Sequence, residues 1–220
     1  MNPIPVIVIG AGGHAVVVAD ALLAARRQVL GFLDADAGSH GRCLLGLPVL
    51  GGDVILEARR GSRLELVNGI GGVGKTATTG FPIRRRHVQE RLQLDGWHFA
   101  TVVHPRAIVS PNATLQIGAQ VLAGAVVQAG ANVGEGAIVN TCAVVEHHGQ
   151  VGAYAHIAPG AVLCGDVQVG EECHVGAGAV VRQGLKLAAR SVVGIGAAVV
   201  RDVHTGTVLG VPAVPRGSMP

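Results

Sequence analysis

The residues best equipped for chemistry lie between positions 140 and 174 of this 220-residue chain. They are Asn140-Thr141, the run Glu146-His147-His148, then Tyr154, His156 and His174. An imidazole changes charge near neutral pH, so a His set among Asn, Thr and Glu can accept a proton from an attacking amine or hydroxyl. Eighteen residues beyond His147 is Gly165, and eighteen beyond His156 is His174. If eighteen residues make one turn of structure, a backbone N–H with no side chain in the way stands beside His147. A base next to such a donor suits acyl transfer, because the N–H can hold the oxyanion that develops as the proton leaves. His147 is therefore the candidate catalytic residue, with Glu146 and Gly165 beside it. His148 and His174 are assigned to the outer surface, where a His is most often passive. A zinc site is the other use for such residues. It needs three converging imidazoles, and His156 and His174 supply only two.

The eighteen-residue count comes from the sequence itself. Every sixth residue from Val103 to Val199 is Val, Ile or Leu, and a mostly small residue stands four places behind each, as at Ala113, Ala125, Ala137 and Ala155. Gly recurs directly after the aliphatic, as in Gly134, Gly152, Gly170 and Gly176. A period of six fits neither a helix of 3.6 residues per turn nor two-residue alternation. It fits short strands joined by corners, with small residues where backbones crowd and Gly where φ must be unusual. Three hexapeptides close one triangular coil, so residues eighteen apart stack at about 4.8 Å in a parallel β-helix. Residues 103–204 make five to six such coils.

The first hundred residues read differently. An apolar strand over Pro5–Ile9 leads into Gly10-Ala11-Gly12-Gly13-His14, then an apolar helix over Val16–Ala25. Strand, Gly-rich turn and helix bring backbone N–H groups to a helix N-terminus, where phosphate binds. A second strand over Gln28–Leu33 ends at Asp34 and Asp36, about the spacing at which an acid holds a ribose hydroxyl. A third strand over Leu64–Val67 follows. The plainer reading of these glycines is a tight strand-to-helix turn. With one nucleotide-sized unit, a small nucleotide fits better than a dinucleotide. Residues 69–76 match the phosphate-loop pattern GxxxxGK[ST], but Gly80 and Pro82 spoil the helix that must follow, so ATP hydrolysis is set aside. Arg84-Arg85-Arg86 is read as a solvated helix face.

Composition narrows the class. Aromatics are 2% of the chain and the formal charge is +3. With a single Tyr and a single Trp, a base-stacking nucleic-acid surface is not expected. No signal pattern opens the chain and no apolar run of about 20 residues exists, so a cytoplasmic protein without a membrane span is expected. Cys43, Cys142, Cys164 and Cys173 have no metal-type spacing.

Several ordered motifs make the chain resemble the sugar O- and N-acetyltransferases of the sialic-acid and bacillosamine type over nearly its whole length. They are Ile9–His14, Phe32-Leu33-Asp34, His104–Ala107, Asn140–His147, His156–Ala161 and Gly210–Ala213. The resemblance implies a small β/α nucleotide-sugar domain over residues 1–98 and a left-handed β-helix over 99–220. It implies acetyl-CoA as co-substrate, no metal, and a homotrimer with active sites between subunits. By position it implies that His147 is the general base and that Gly165 N–H meets the thioester oxygen. Gly10, Gly12, Gly13, His14, Asp34, Asp36, Asn140 and Thr141 would meet the nucleotide-sugar, and His156, Gly165, Gly176, Ala177 and Ala197 the CoA. One departure stands out: that family has Asp or Glu after its catalytic His, where this chain has His148. Glu146 or another subunit is then expected to orient the ring. The activity so implied is N-acetylation of a nucleotide-linked amino sugar in surface-glycan synthesis, with O-acetylation of a sialic-acid-like sugar as the nearest rival. A zinc hydratase and a non-catalytic scaffold are the readings from other classes.

Overall fold

The computed structural model describes residues 4–71, 83–204 and 206–208. The amino-terminal part is a five-stranded sheet of β1 (Val6–Ile9), β2 (Val29–Leu33), β3 (Cys43–Leu44), β4 (Leu47–Gly51) and β5 (Glu65–Asn68). Their order is β3-β4-β2-β1-β5, and all pairs are parallel except β3 with β4. Helices α1 (Gly13–Ala24), α2 (Val54–Glu57) and α3 (Ile83–Leu94) complete it. Strand β1 is apolar throughout because both faces of the sheet are covered. Val6 and Val8 pack with Ala15, Val18 and Leu22 of α1, whereas Ile7 and Ile9 pack with Leu56 and Leu92 on the other side. The hairpin β3–β4 and helix α2 are additions to the sequence reading.

From Val102 onward, eighteen two-residue strands, β6 to β23, form three parallel sheets of seven, six and five strands. Residues eighteen apart are partners, as in Ile138 with His156, Val144 with Val162 and Gln150 with Gln168. The final pairing, Val192 with Thr207, departs from that count. The sixth-residue aliphatics point inward, and Val121, Val127, Val133, Val139 and Val145 are all at most 1% exposed. The small column is equally buried, with Ala119, Ala125, Ala131, Ala137 and Ala143 packed between them.

The glycines divide into two sets, which corrects the single role expected for them. Those after the aliphatic lack unusual φ. A Cβ at Gly152 or Gly170 would come within 2.6 or 2.5 Å of the backbone of the next coil, so they are small for close approach. The unusual φ falls two residues later. Every sixth residue from Gly118 to Gly196 has φ between 55° and 75°, and six of these are not Gly: Cys142, His148, Tyr154, Asp166, Glu172 and Arg190.

Outward-facing residues differ sharply among the three sheets. The six-stranded sheet shows Ile108, Val126, Val144, Val162, Val180 and Ala198, and the five-stranded sheet Thr114, Asn132, Gln150, Gln168 and Lys186. The seven-stranded sheet carries the amino-terminal part: Val102, Leu122 and Ile138 share one buried cluster with α1.

Candidate active site

The Gly-rich turn is built by Asp34. Its Oδ2 accepts the Ala11 N–H at 2.7 Å and its Oδ1 the Asp36 N–H at 2.9 Å. Asp36 in turn caps the short turn after it through the Gly38 N–H at 2.9 Å. Both acids therefore shape backbone first, whatever else they meet. A Cβ at Gly12 or Gly13 would touch nothing within 4 Å. Packing alone does not demand glycine there, and the open space lies over the first N–H groups of α1, where an anion is favoured.

His14 points from α1 toward the β-helix, its Nε2 2.9 Å from Gln120 Oε1. Gln120 Nε2 donates to the Asn68 carbonyl at 2.6 Å, which fixes the amide orientation. His14 therefore carries its proton on Nε2 and keeps Nδ1 as an acceptor. Burial pushes its pKa down, against the Gln120 hydrogen bond and with help from the charge of Arg85. Asn140 works similarly on His156. Its Oδ1 accepts the Thr141 N–H at 2.7 Å, so its Nδ2 is the group 3.0 Å from His156 Nε2. His156 is 8% exposed and stacks edge-on with His174, ring centroids 5.0 Å apart. Burial, then the neighbouring His174, Arg85 and His14, push its pKa down to about 2, so it is a neutral imidazole.

Two sequence expectations are corrected here. Arg85 is not on a solvated helix face. It is 1% exposed, donates through Nη2 to the Tyr154 carbonyl, and its desolvation lowers its pKa to about 10. It ties α3 to the β-helix, and no periodic signal in a run of three arginines distinguishes the buried one. His174 is likewise half-buried, its ring edge-on against His156, rather than on the outer surface. Among the described residues no group of three His, Cys, Asp or Glu could hold a metal ion. The segment resembling a phosphate loop falls mainly in residues 72–82, outside the described residues. So do Gly210–Ala213.

His147 stands over Gly165 as the eighteen-residue count requires. A Cβ at Gly165 would lie 2.4 Å from both Cε1 and Nε2 of the His147 ring. Among the described residues nothing accepts the Gly165 N–H. The other end of the ring meets His148, with Nδ1 to Nδ1 at 3.1 Å. Glu146 reaches the backbone N–H of His147, at 3.4 Å, and not the ring as expected.

The predicted residues do not all meet within one chain. Asn140 and Thr141 sit at the corner after β12 (Ile138–Val139), on the edge of the seven-stranded sheet. Gly176, Ala177 and Ala197 lie along the same edge, two or three coils on, and a Cβ at nearby Gly178 or Gly196 would meet nothing within 4 Å. An edge so small-sided lets an extended chain lie against the backbone, which is what the pantetheine arm of CoA needs. His147 follows β13 (Val144–Val145) and precedes β14 (Gln150–Val151). That corner joins the other two sheets, opposite the one beneath the amino-terminal part.

A nucleotide-type turn docked on a hexapeptide β-helix, with a His over a bare amide, defines an acyltransferase architecture. Residues 5–77 match the PglD N-terminal domain family, and residues 148–183 match the bacterial transferase hexapeptide (six repeats) family. The chain is 36% identical to perosamine N-acetyltransferase from Caulobacter crescentus, solved as a mutant with CoA and GDP-perosamine, covering 97% of each chain with a TM-score of 0.84. It is 34% identical to the acetyltransferase domain of PglB from Neisseria gonorrhoeae, solved with acetyl coenzyme A, covering 97% of this chain and 99% of that one, TM-score 0.84. WeeI from Acinetobacter baumannii shares the fold at 21% identity and TM-score 0.73, over 93% of this chain and 96% of that one. No curated protein matches the chain. The protein belongs to the hexapeptide-repeat sugar acetyltransferases, whose domains are an α/β nucleotide-binding unit and a left-handed β-helix.

Proposed function

We propose that this enzyme transfers the acetyl group of acetyl-CoA to the amino group of a nucleotide-linked amino sugar. The observation that carries this reading is the His147 ring lying over the unclaimed amide of Gly165. The two relatives above one third identity, or near it, bind CoA or acetyl-CoA, and the Caulobacter enzyme also binds GDP-perosamine. In this reading the turn at Gly10, Gly12, Gly13 and His14, shaped by Asp34 and Asp36, grips the nucleotide. Asn140 and Thr141 face the sugar, and His156, Gly176, Ala177 and Ala197 line the path of CoA.

Acetyl-CoA supplies an activated acyl carbon. His147 Nε2 takes the proton as the amine nitrogen forms its bond to that carbon, and the Gly165 N–H stabilises the oxygen that gains charge. When the C–S bond breaks, the same proton on His147 can pass to the thiolate, so the base returns to its starting form.

A second copy of the chain completes the site. His147 is on the prism edge opposite the seven-stranded sheet, which carries Gln120, the partner of His14, and has Asn140 at its border, so base and sugar residues converge between chains. The aliphatic face from Ile108 to Ala198 borders both edges, and Val180 is 44% exposed there. Burying it supports the homotrimer. All four cysteines are free, in keeping with a cytoplasmic setting. No helix among the described residues is long and apolar enough to cross a membrane.

The test is thiol release from acetyl-CoA with GDP- and UDP-linked 4-amino sugars beside sialic acid. Turnover of an amino sugar, lost in His147→Ala, is the expected result. Turnover of the hydroxyl acceptor alone would replace the N-acetyl reading, and full activity in His147→Ala would remove the base.

A further inference from the structure

We propose that His148 is the positioning residue of this transferase: it accepts the Nδ1–H of His147 and thereby leaves His147 Nε2 unprotonated over Gly165. This rests on the reading of His147 as proton acceptor. The His147 ring is pinned at both ends. Its Cε1–Nε2 edge lies against Gly165, and its Nδ1 is 3.1 Å from His148 Nδ1, with the two rings at 81°. Glu146 is spent on backbone, so His148 is the side chain that touches the ring.

His148 also stands on unusual backbone, which it shares with five other corners that carry a side chain. It occupies the corner position with φ +60°, where eight of fourteen coil corners use Gly. A side chain there is strained by roughly 1 kcal/mol or more, and such strain collects at working residues. Its ring rests on Gly130 of the coil before, where a Cβ would come within 2.8 Å. The imidazole thus has a glycine floor beneath it and the His147 ring beside it.

A contact between two Nδ1 atoms holds a single proton. If His147 donates it, His147 Nε2 is a lone pair and can act as base. If His148 donates it, Nε2 is protonated and cannot. Once His147 has taken the substrate proton, its Nδ1–H still needs an acceptor, and neutral His148 is that acceptor. A carboxylate in this position would accept the same Nδ1–H. The other ionisable groups at this corner are Glu146 and, on the next coil, the free thiol of Cys164 and Asp166, whose N–H donates to the His147 carbonyl at 2.9 Å. The preceding coil offers Gln128, Ala129 and Gly130, none of which titrates.

The experiment compares wild type, His148→Gly, His148→Asp and His147→Ala, all as full-length enzyme, with acetyl-CoA and a GDP-linked 4-amino sugar from pH 5 to 8.5. Glycine and aspartate both suit the positive φ, so folding is preserved, and thermal unfolding confirms it. Expected is a kcat lower by about 10- to 100-fold in His148→Gly, with both KM values little changed. His148→Asp should regain most of that loss. Wild-type kcat in His148→Gly, or no recovery in His148→Asp, would each overturn the proposal. If His147→Ala is inert while His148→Gly is fully active, the proposal fails and the base survives. If His147→Ala is active, the base reading itself has failed.

Discussion

Asn140 and His147 belong to one coil of the β-helix but stand at opposite ends of β13, with a whole prism face between them. One chain therefore cannot bring the amide that holds His156 to the base that is meant to act.

Two inactive variants should consequently rescue each other. With the proposed trimer, equal co-expression of His147→Ala and Asn140→Ala mixes the chains at random, and about a quarter of all sites then combine an intact His147 from one chain with an intact Asn140 from another. Activity near that fraction of wild type, from two dead parents, is the expected outcome. No recovery in verified mixed oligomers would show that the two residues do not share a site.

Gly165→Ala should separate catalysis from binding. The added methyl occupies the space of the His147 ring edge, only 2.4 Å away, so the imidazole must swing out. A displacement of that size costs about 100-fold in kcat, with about 1–3 kcal/mol of stability lost to overpacking. Steady-state kinetics and thermal unfolding read the two effects.

Gly12→Ala tests the turn. Its methyl meets no protein atom within 4 Å, so the melting temperature should change little. If a nucleotide phosphate lies against that backbone, the nucleotide-sugar KM should rise about tenfold, which is about 1.4 kcal/mol of lost binding. An unaltered KM would leave these glycines as a plain strand-to-helix turn.

Stability should fall on the acid side of neutrality. In the folded chain His156 is held neutral down to about pH 2, chiefly by burial, and burial also lowers His14 and His174. The unfolded chain takes up these protons below about pH 6.5, so it binds more protons than the native state there. Nothing is lost above that pH. Below it the penalty from His156 alone grows by about 1.4 kcal/mol per pH unit. Denaturant unfolding from pH 7.5 to 5 should show the decline, and His156→Asn should remove its share of it.

The repeat was legible because a prism interior admits only aliphatics at one position in six, and that demand is written without interruption from Val103 to Val199. Stacking His147 on Gly165 followed from counting alone, since each coil is eighteen residues. The Gly-rich turn was legible for the same local reason: strand, glycines and helix are adjacent in sequence. Other features depend on contacts between segments far apart in the chain. Arg85 is one of three consecutive arginines, and only the docking of α3 on the Tyr154 corner buries it and not its neighbours. The tautomers of His14 and His156 are set by Gln120 and Asn140, one of them 106 residues away. Whether Glu146 or His148 meets the His147 ring is a matter of χ angles and a positive φ, on which residue order is silent. Periodicity thus determined the scaffold and the height of each residue along it. The packing of distant polar groups decided which of them are buried and which proton each imidazole carries.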